Sequence, residues 1–226
     1  MAIRQNRVRN LVAALVASFG LAVAASAAAD PLQITIGSPT VGGFPAPYAQ
    51  VTYDLVDSNT ATFTFTALAG YYIGSTNTAA LNFNGAVSLV GAITGNASPL
   101  GPSGCPYSLG GAGNIGGVGD MNFTVNTFDG ANCVSTTVSF TVDLVGGTWA
   151  NTGAILAANN LGNLAGVHVF AGCTGTAPNI ACAATGFSGG DTAVPPDEVP
   201  EPATLALLAL GLLGMNVVRR RRTSRT

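Results

Sequence analysis

Cysteines, one histidine and a few serine, glycine and acidic spacings are the reactive groups of this 226-residue sequence. Cys105, Cys133, Cys173 and Cys182 are even in number, lack C-x2-C spacing and have only His168 as a nitrogen partner. Disulfides are therefore expected and a zinc site is not. Of three pairings, Cys105–Cys133 would tie a glycine-rich loop to a strand start and Cys173–Cys182 would close a short loop, each worth about 3 kcal/mol by chain entropy. Gly186, Ser188 and Gly190 have the letters of a nucleophile elbow. That device needs a strand–turn–helix and a later histidine base, whereas His168 comes earlier and in a predicted strand. Gly111, Gly113 and Gly116 satisfy G-x-G-x-x-G without the strand before and the helix after that a dinucleotide requires. Gly116 to Asp120 falls one residue short of the calcium repeat G-G-x-G-x-D and is not a tandem array. Asp54 with Asp57, or Asp120 with Asp129, could offer hard oxygen ligands to calcium; as turn acids they would simply keep the domain soluble. Thr62, Thr64 and Thr66 form a T-x-T-x-T row, expected as an exposed strand face. No catalytic residue, metal ligand or cofactor is expected, and the chain is read as non-enzymatic.

Charge is segregated. All eight basic residues are arginines at the ends: Arg4, Arg7 and Arg9, then Arg219, Arg220, Arg221, Arg222 and Arg225. Between Asp30 and Val199 there are nine acids and no Lys or Arg. A domain without cations cannot neutralise phosphates, which excludes nucleic acid as a partner and disfavours anionic lipid.

The two ends read as traffic signals. Three arginines precede an apolar run from Leu11 to Ala25 and the small-residue sites Ala25-Ser26-Ala27 and Ala27-Ala28-Ala29, the build of a secretory signal peptide cleaved after Ala29. At the other end Pro200-Glu201-Pro202 precedes an uncharged stretch, 203–218, and then Arg219 to Arg222. As a helix that stretch would cover about 24 Å, short for spanning unless the arginines snorkel and the bilayer thins. The arginines would hold this end in the cytoplasm.

The order Pro-Glu-Pro, apolar helix, arginine cluster resembles the PEP-CTERM sorting signal, over about the last 27 residues. The resemblance implies Pro200, Glu201 and Pro202 as the sorting and processing motif. It also implies an exosortase, a membrane cysteine peptidase, as processing partner beside the secretion machinery. Its setting is the envelope, biofilm or floc of a Gram-negative producer of exopolysaccharide. It implies no fold or activity for residues 30–199.

Those residues must fold around the groups above. Period-two patterns predict strands at 134–144, 51–55, 62–66 and 121–126, with shorter ones at 81–83, 87–94 and 166–170. Only 153–164 looks helical, and weakly. Gly95 to Gly119, rich in glycine and proline, reads as a long edge loop. Many short strands without alternating helices predict an all-β antiparallel sandwich, jelly-roll-like. The expected organisation is a signal peptide 1–29, ectodomain 30–190, acidic proline-rich stalk 191–202, transmembrane helix 203–218 and cytoplasmic tail 219–226. The expected role is non-catalytic, structural or adhesive, at the cell surface or in its exopolysaccharide matrix. The alternative is a carbohydrate-binding module stacking sugars on Tyr71, Tyr72, Tyr107 or Trp149; an envelope hydrolase ranks third.

Overall fold

Period-two patterning produces an all-β chain. The computed structural model describes residues 32–97, 106–127, 133–176 and 179–194, and within them twelve antiparallel strands share one hydrogen-bonded sheet. They are β1 Leu32–Ile36, β2 Ala49–Leu55, β3 Thr60–Ala67, β4 Tyr71–Gly74, β5 Ala79–Leu81 and β6 Val87–Ala97. The second half supplies β7 Ser108–Ile115, β8 Gly119–Asn126, β9 Val134–Leu144, β10 Ala165–Thr174, β11 Ala181–Gly190 and β12 Ala193–Val194.

The ladder runs β1–β2–β3–β9–β4–β10, with β11 on the far edge of β10 and β6 on the outer edge of β9. β5 continues along β10 and carries β8 and then β7. The path also returns to its start. Ala193 and Val194 pair with Ile34 and Gln33, and Ser38 bridges Gly189 in the same antiparallel register. Gly189 N–H donates to the Ser38 carbonyl at 2.6 Å, while the N–H groups of Gly37 and Ser38 reach the Gly189 carbonyl at 3.0 and 3.2 Å. β1 is thus paired on both edges, which protects a strand that would otherwise template aggregation. Close approach at this seam requires glycine: a Cβ on Gly190 would strike the Thr35 carbonyl and the Ile34 side chain.

Alternation sends Ile34, Ile36, Val51, Tyr53, Phe63, Phe65, Val138 and Phe140 into one main core, which Val167 and Val169 of β10 complete. Phe63 is its hub, stacked on Tyr53 and Phe140 at 5.4 and 5.5 Å between ring centroids and edge-on to Phe83 at 5.3 Å. Burial here pushes the Tyr53 phenol up to about 12. Two smaller clusters lie elsewhere. Ala80, Ile115, Val118 and Met121 pack with Phe187, and Val134, Phe170 and Ile180 pack with Tyr72 and the Cys173–Cys182 pair.

The structure departs from the sequence reading at several places. The helix expected over 153–164 is a single 3-10 turn, Thr152–Ala154. Its Asn159-Asn160 pair and Gly162 instead build a loop pinned to the β7–β8 turn. Asn159 and Asn163 donate their side-chain amides to the Val118 carbonyl at 2.9 and 2.8 Å, and Asn159 Oδ1 accepts from Leu161 N and Asn163 N. The loop expected over Gly95–Gly119 contains the end of β6 and all of β7. Glycine does not forbid a strand whose register slips, and β7 shifts around Gly111, which has φ of +78°. Strand 81–83 lies earlier, at 79–81, with Phe83 bridging Leu156. The period-two patterns do not predict β1, β4, β11 or β12, and β12 extends pairing into the segment expected as stalk.

Candidate functional site

Among the described residues, the reactive groups lie apart from one another. Ser188 and His168 lie on adjacent strands, but Ser188 pairs with Val167 and His168 with Phe187, so the two side chains project from opposite faces. Ser188 is fully buried and its hydroxyl has no hydrogen-bond partner. His168 Nε2 lies 2.8 Å from the Thr185 hydroxyl and Nδ1 3.2 Å from the Thr76 carbonyl, with its ring over Phe187. Gly186 and Gly190 belong to continuous strand, not to an elbow.

The acids are dispersed. Asp57 closes the β2–β3 turn, accepting from the N–H groups of Asn59 and Thr60 at 3.0 and 2.9 Å. The Asn59 bond chiefly, helped by Thr60, holds its carboxyl below the ordinary value. Asp143 accepts from the Thr60 hydroxyl at 2.8 Å and Asp120 from the Asn114 amide at 2.6 Å. Among the described residues no group of three or more His, Cys, Asp or Glu gathers. Asp129 lies outside them.

The aromatics proposed for sugar stacking are engaged elsewhere. Trp149 is 5% exposed and donates Nε1–H to the Asn84 carbonyl. Tyr71 meets the buried Tyr48 edge-on and donates its hydroxyl to the Pro45 carbonyl. Tyr72 packs on the third cluster. Tyr107 shares a 2.5 Å hydrogen bond with the Ser135 hydroxyl, and burial raises its phenol despite that bond.

What the strands do assemble is a broad polar face on β1, β2, β3, β9 and β6. Register places Thr35, Gln50, Thr66, Thr137 and Asn96 in one row across it. The next row is Gln33, Thr52, Thr64, Ser139 and Thr94. A third is Asp54, Thr62, Thr141 and Val90. The T-x-T-x-T row is thus the middle column of a wider lattice. Thr64 and Ser139 share a 3.0 Å hydroxyl–hydroxyl hydrogen bond, while Thr35, Thr52, Thr62, Thr66, Thr94 and Asn96 are exposed. Sequence reading found the column and missed the lattice, because cross-strand register joins residues up to about a hundred positions apart. The signal available was the T-x-T-type alternation repeated near 50–54, 62–66 and 137–141.

Cys173 pairs directly opposite Cys182 on β10 and β11 and the two form a disulfide. Cys133 is also disulfide-bonded. Cys105, the cleavage residue Ala29, the motif Pro200-Glu201-Pro202 and Arg219 to Arg222 lie outside the described residues, as do the signal segment and the apolar stretch 203–218. Among the described residues no helix is long and apolar enough to cross a membrane.

No curated protein and no solved structure matches the chain. A family model does match the end that follows β12. Residues 198–222 fit the PEP-CTERM protein-sorting motif, which implies export across the inner membrane to the cell surface and recognition by an exosortase. At residues 198–222 the chain thus carries a PEP-CTERM protein-sorting motif.

Proposed function

We propose that this chain is a non-catalytic structural or adhesive protein of the cell surface or its exopolysaccharide matrix, with no enzymatic role. The secretion machinery removes its signal peptide after Ala29, the 203–218 helix anchors it transiently, and exosortase processes the tail. In this reading the closed ladder is a two-layer, jelly-roll-like sandwich. The observation that carries the proposal is the position of the sorting motif. It begins a few residues after Val194, the last residue of a strand that seals the β-domain. The tail is therefore an appendage of a finished module. The Cys173–Cys182 disulfide suits the oxidising space outside the inner membrane. The polar lattice favours one second reading, a carbohydrate-binding module working on the organism's own exopolysaccharide.

Mass spectrometry of the native protein tests the traffic. A mature start at Asp30, a C-terminus near the Pro-Glu-Pro motif and oxidised cysteines are expected. An intact chain with reduced thiols in the cytosol would overturn it. Deletion of the gene tests the role: altered aggregation, floc or biofilm architecture is expected, and unchanged adhesion and matrix retention would count against it.

A further inference from the structure

We propose that the outer face of β1–β2–β3–β9–β6 is a docking surface for a neutral polysaccharide chain. The proposal rests on the carbohydrate-binding reading and gives it a place and a ligand class.

Three observations carry it. First, the lattice is chemically narrow. Its three rows are hydroxyl and amide side chains apart from Asp54 at one end and Val90 at the other. A solvated sheet face ordinarily mixes both signs of charge for solubility, and this one has no cation at all. Each Thr or Ser hydroxyl both donates and accepts, as sugar hydroxyls do. The strands that carry these side chains lie about 4.8 Å apart, and same-face residues recur about every 6.7 Å along each strand. A polymer bearing hydroxyls on both edges can meet such a grid at many points, so weak single contacts add along its length.

Second, the grid is stiff before any ligand arrives. Threonine is β-branched and restricted at χ1. The Thr64–Ser139 bond fixes the centre, the Thr94 hydroxyl donates to the Ser139 carbonyl, and the Thr137 hydroxyl accepts from the Asn96 backbone N–H. At Thr64, Thr94, Thr137 and Ser139 little rotamer entropy is left to lose on binding.

Third, charge and polarity select the occupant. A domain with nine acids and no Lys or Arg repels uronate- or phosphate-bearing polymers and anionic lipid. An apolar core, which a stable contact with a second copy would need, is missing from the three rows, where only Val90 is apolar. A neutral glycan remains the chemistry that fits.

The test uses the mature protein purified from the cell surface, in sedimentation and calorimetric binding to amorphous cellulose, mixed-linkage β-glucan and dextran, with alginate as the anionic control. Thr52, Thr62 and Thr66 are exposed, so Thr52→Glu/Thr62→Glu/Thr66→Glu leaves the core untouched. Retention on at least one neutral glycan is expected, with none on alginate. The triple Glu variant should lose about tenfold or more in affinity, and Thr→Ser at the same sites should stay within about threefold. An unchanged melting temperature separates lost binding from lost folding. Equal binding by wild type and the Glu variant, or binding to no neutral glycan, would overturn the proposal. So would a concentration-dependent dimer abolished by the Glu variant, which would give the face to a second copy. Correct termini and a deletion phenotype alongside absent glycan binding would sink this inference and leave the surface-protein reading standing.

Discussion

On β3, Thr62, Thr64 and Thr66 point outward; Thr62 and Thr66 are exposed and Thr64 is half-buried beside Ser139. On β10 the outward His168 is half-buried beside Phe187, its partner on β11, and Phe170 is buried with Val134 and Ile180. Beyond β10, Ala80 of β5 packs with Ile115, Val118 and Met121. One half of the sheet is therefore two-sided in character, apolar within and hydroxylated without. The other half also buries apolar side chains away from the main core, next to the loop that Asn159 and Asn163 fasten to the Val118 carbonyl. The hydroxylated half is the face proposed to meet a ligand; the other, clustered half carries the two smaller apolar clusters. Substitutions on outer faces should then have very different consequences in the two regions.

The largest difference is expected at Ile115, 1% exposed in the cluster with Ala80 of β5. Ile115→Ala removes buried methylenes and leaves a cavity, a loss of about 2–5 kcal/mol. Thr62→Ala on the hydroxylated half should change stability by no more than about 0.5 kcal/mol. Denaturant midpoints at constant m-value measure both, and comparable losses would erase the distinction between the halves.

The same contrast explains what could be read in advance. β2, β3, β8 and β9 alternate strictly because one face meets water or polar groups, and their strands were legible to within a few residues. β10, with Val167, His168, Val169 and Phe170 in succession, showed a strand but not its length. β11 (ACAATGFSGG) carries no alternation at all. Small residues serve there because β1 and the 159–163 loop press close: a Cβ on Gly189 would meet Asn163 and Val118. Such glycines look like loop punctuation when the neighbour they accommodate is distant in sequence. Asn159 and Asn160 weaken the helical pattern over 153–164, but the pattern does not show what they build instead, since the Val118 carbonyl that Asn159 reaches is some forty residues away. The sorting motif needed no fold to be recognised, being linear. The lattice needed register, which single-strand patterns do not contain.

A second contrast lies in covalent support. Cys173 and Cys182 staple β10 to β11 at the clustered half, closing a hairpin with a sequence separation of 9. Replacing both by serine should cost about 2–3 kcal/mol by loosening the unfolded chain. A double variant is more informative than a reductant, which would also open the bond at Cys133. Proteolysis near 174–181 should accelerate while β2–β3 stays protected. Equal protection of both regions would mean that the disulfide is not what stiffens this half.

Asn159 should give a smaller effect. Its amide reaches the Val118 carbonyl, and its Oδ1 receives two backbone N–H groups of its own loop. Asn159→Ala leaves those groups to water or unpaired, at about 1–2 kcal/mol. Hydrogen exchange should quicken at Leu161 and Asn163 and along the 115–119 turn, and remain unchanged on β3. Spread of the effect to β3 would show that the loop supports the whole sheet, not one half.

The smallest effect, and the one of opposite sign, is expected at Ser188. This residue sits on β11 with its side chain on the main-core side, beside Val167, fully buried and with no partner for its hydroxyl. A buried hydroxyl that forms no hydrogen bond has given up water without compensation. Ser188→Ala removes that cost and only a single oxygen's worth of packing, so stability should be unchanged or rise by up to about 1 kcal/mol. The wider glycines of the motif do not alter this, because Gly190 is required by the Thr35 carbonyl and not by any group near Ser188. A loss of more than about 1 kcal/mol would mean that the hydroxyl has a partner after all and that the clustered half contains a polar interior contact. A rise, with glycan binding on the hydroxylated face intact, would confine Ser188 to a packing defect and leave the two halves as different in chemistry as their outer faces are.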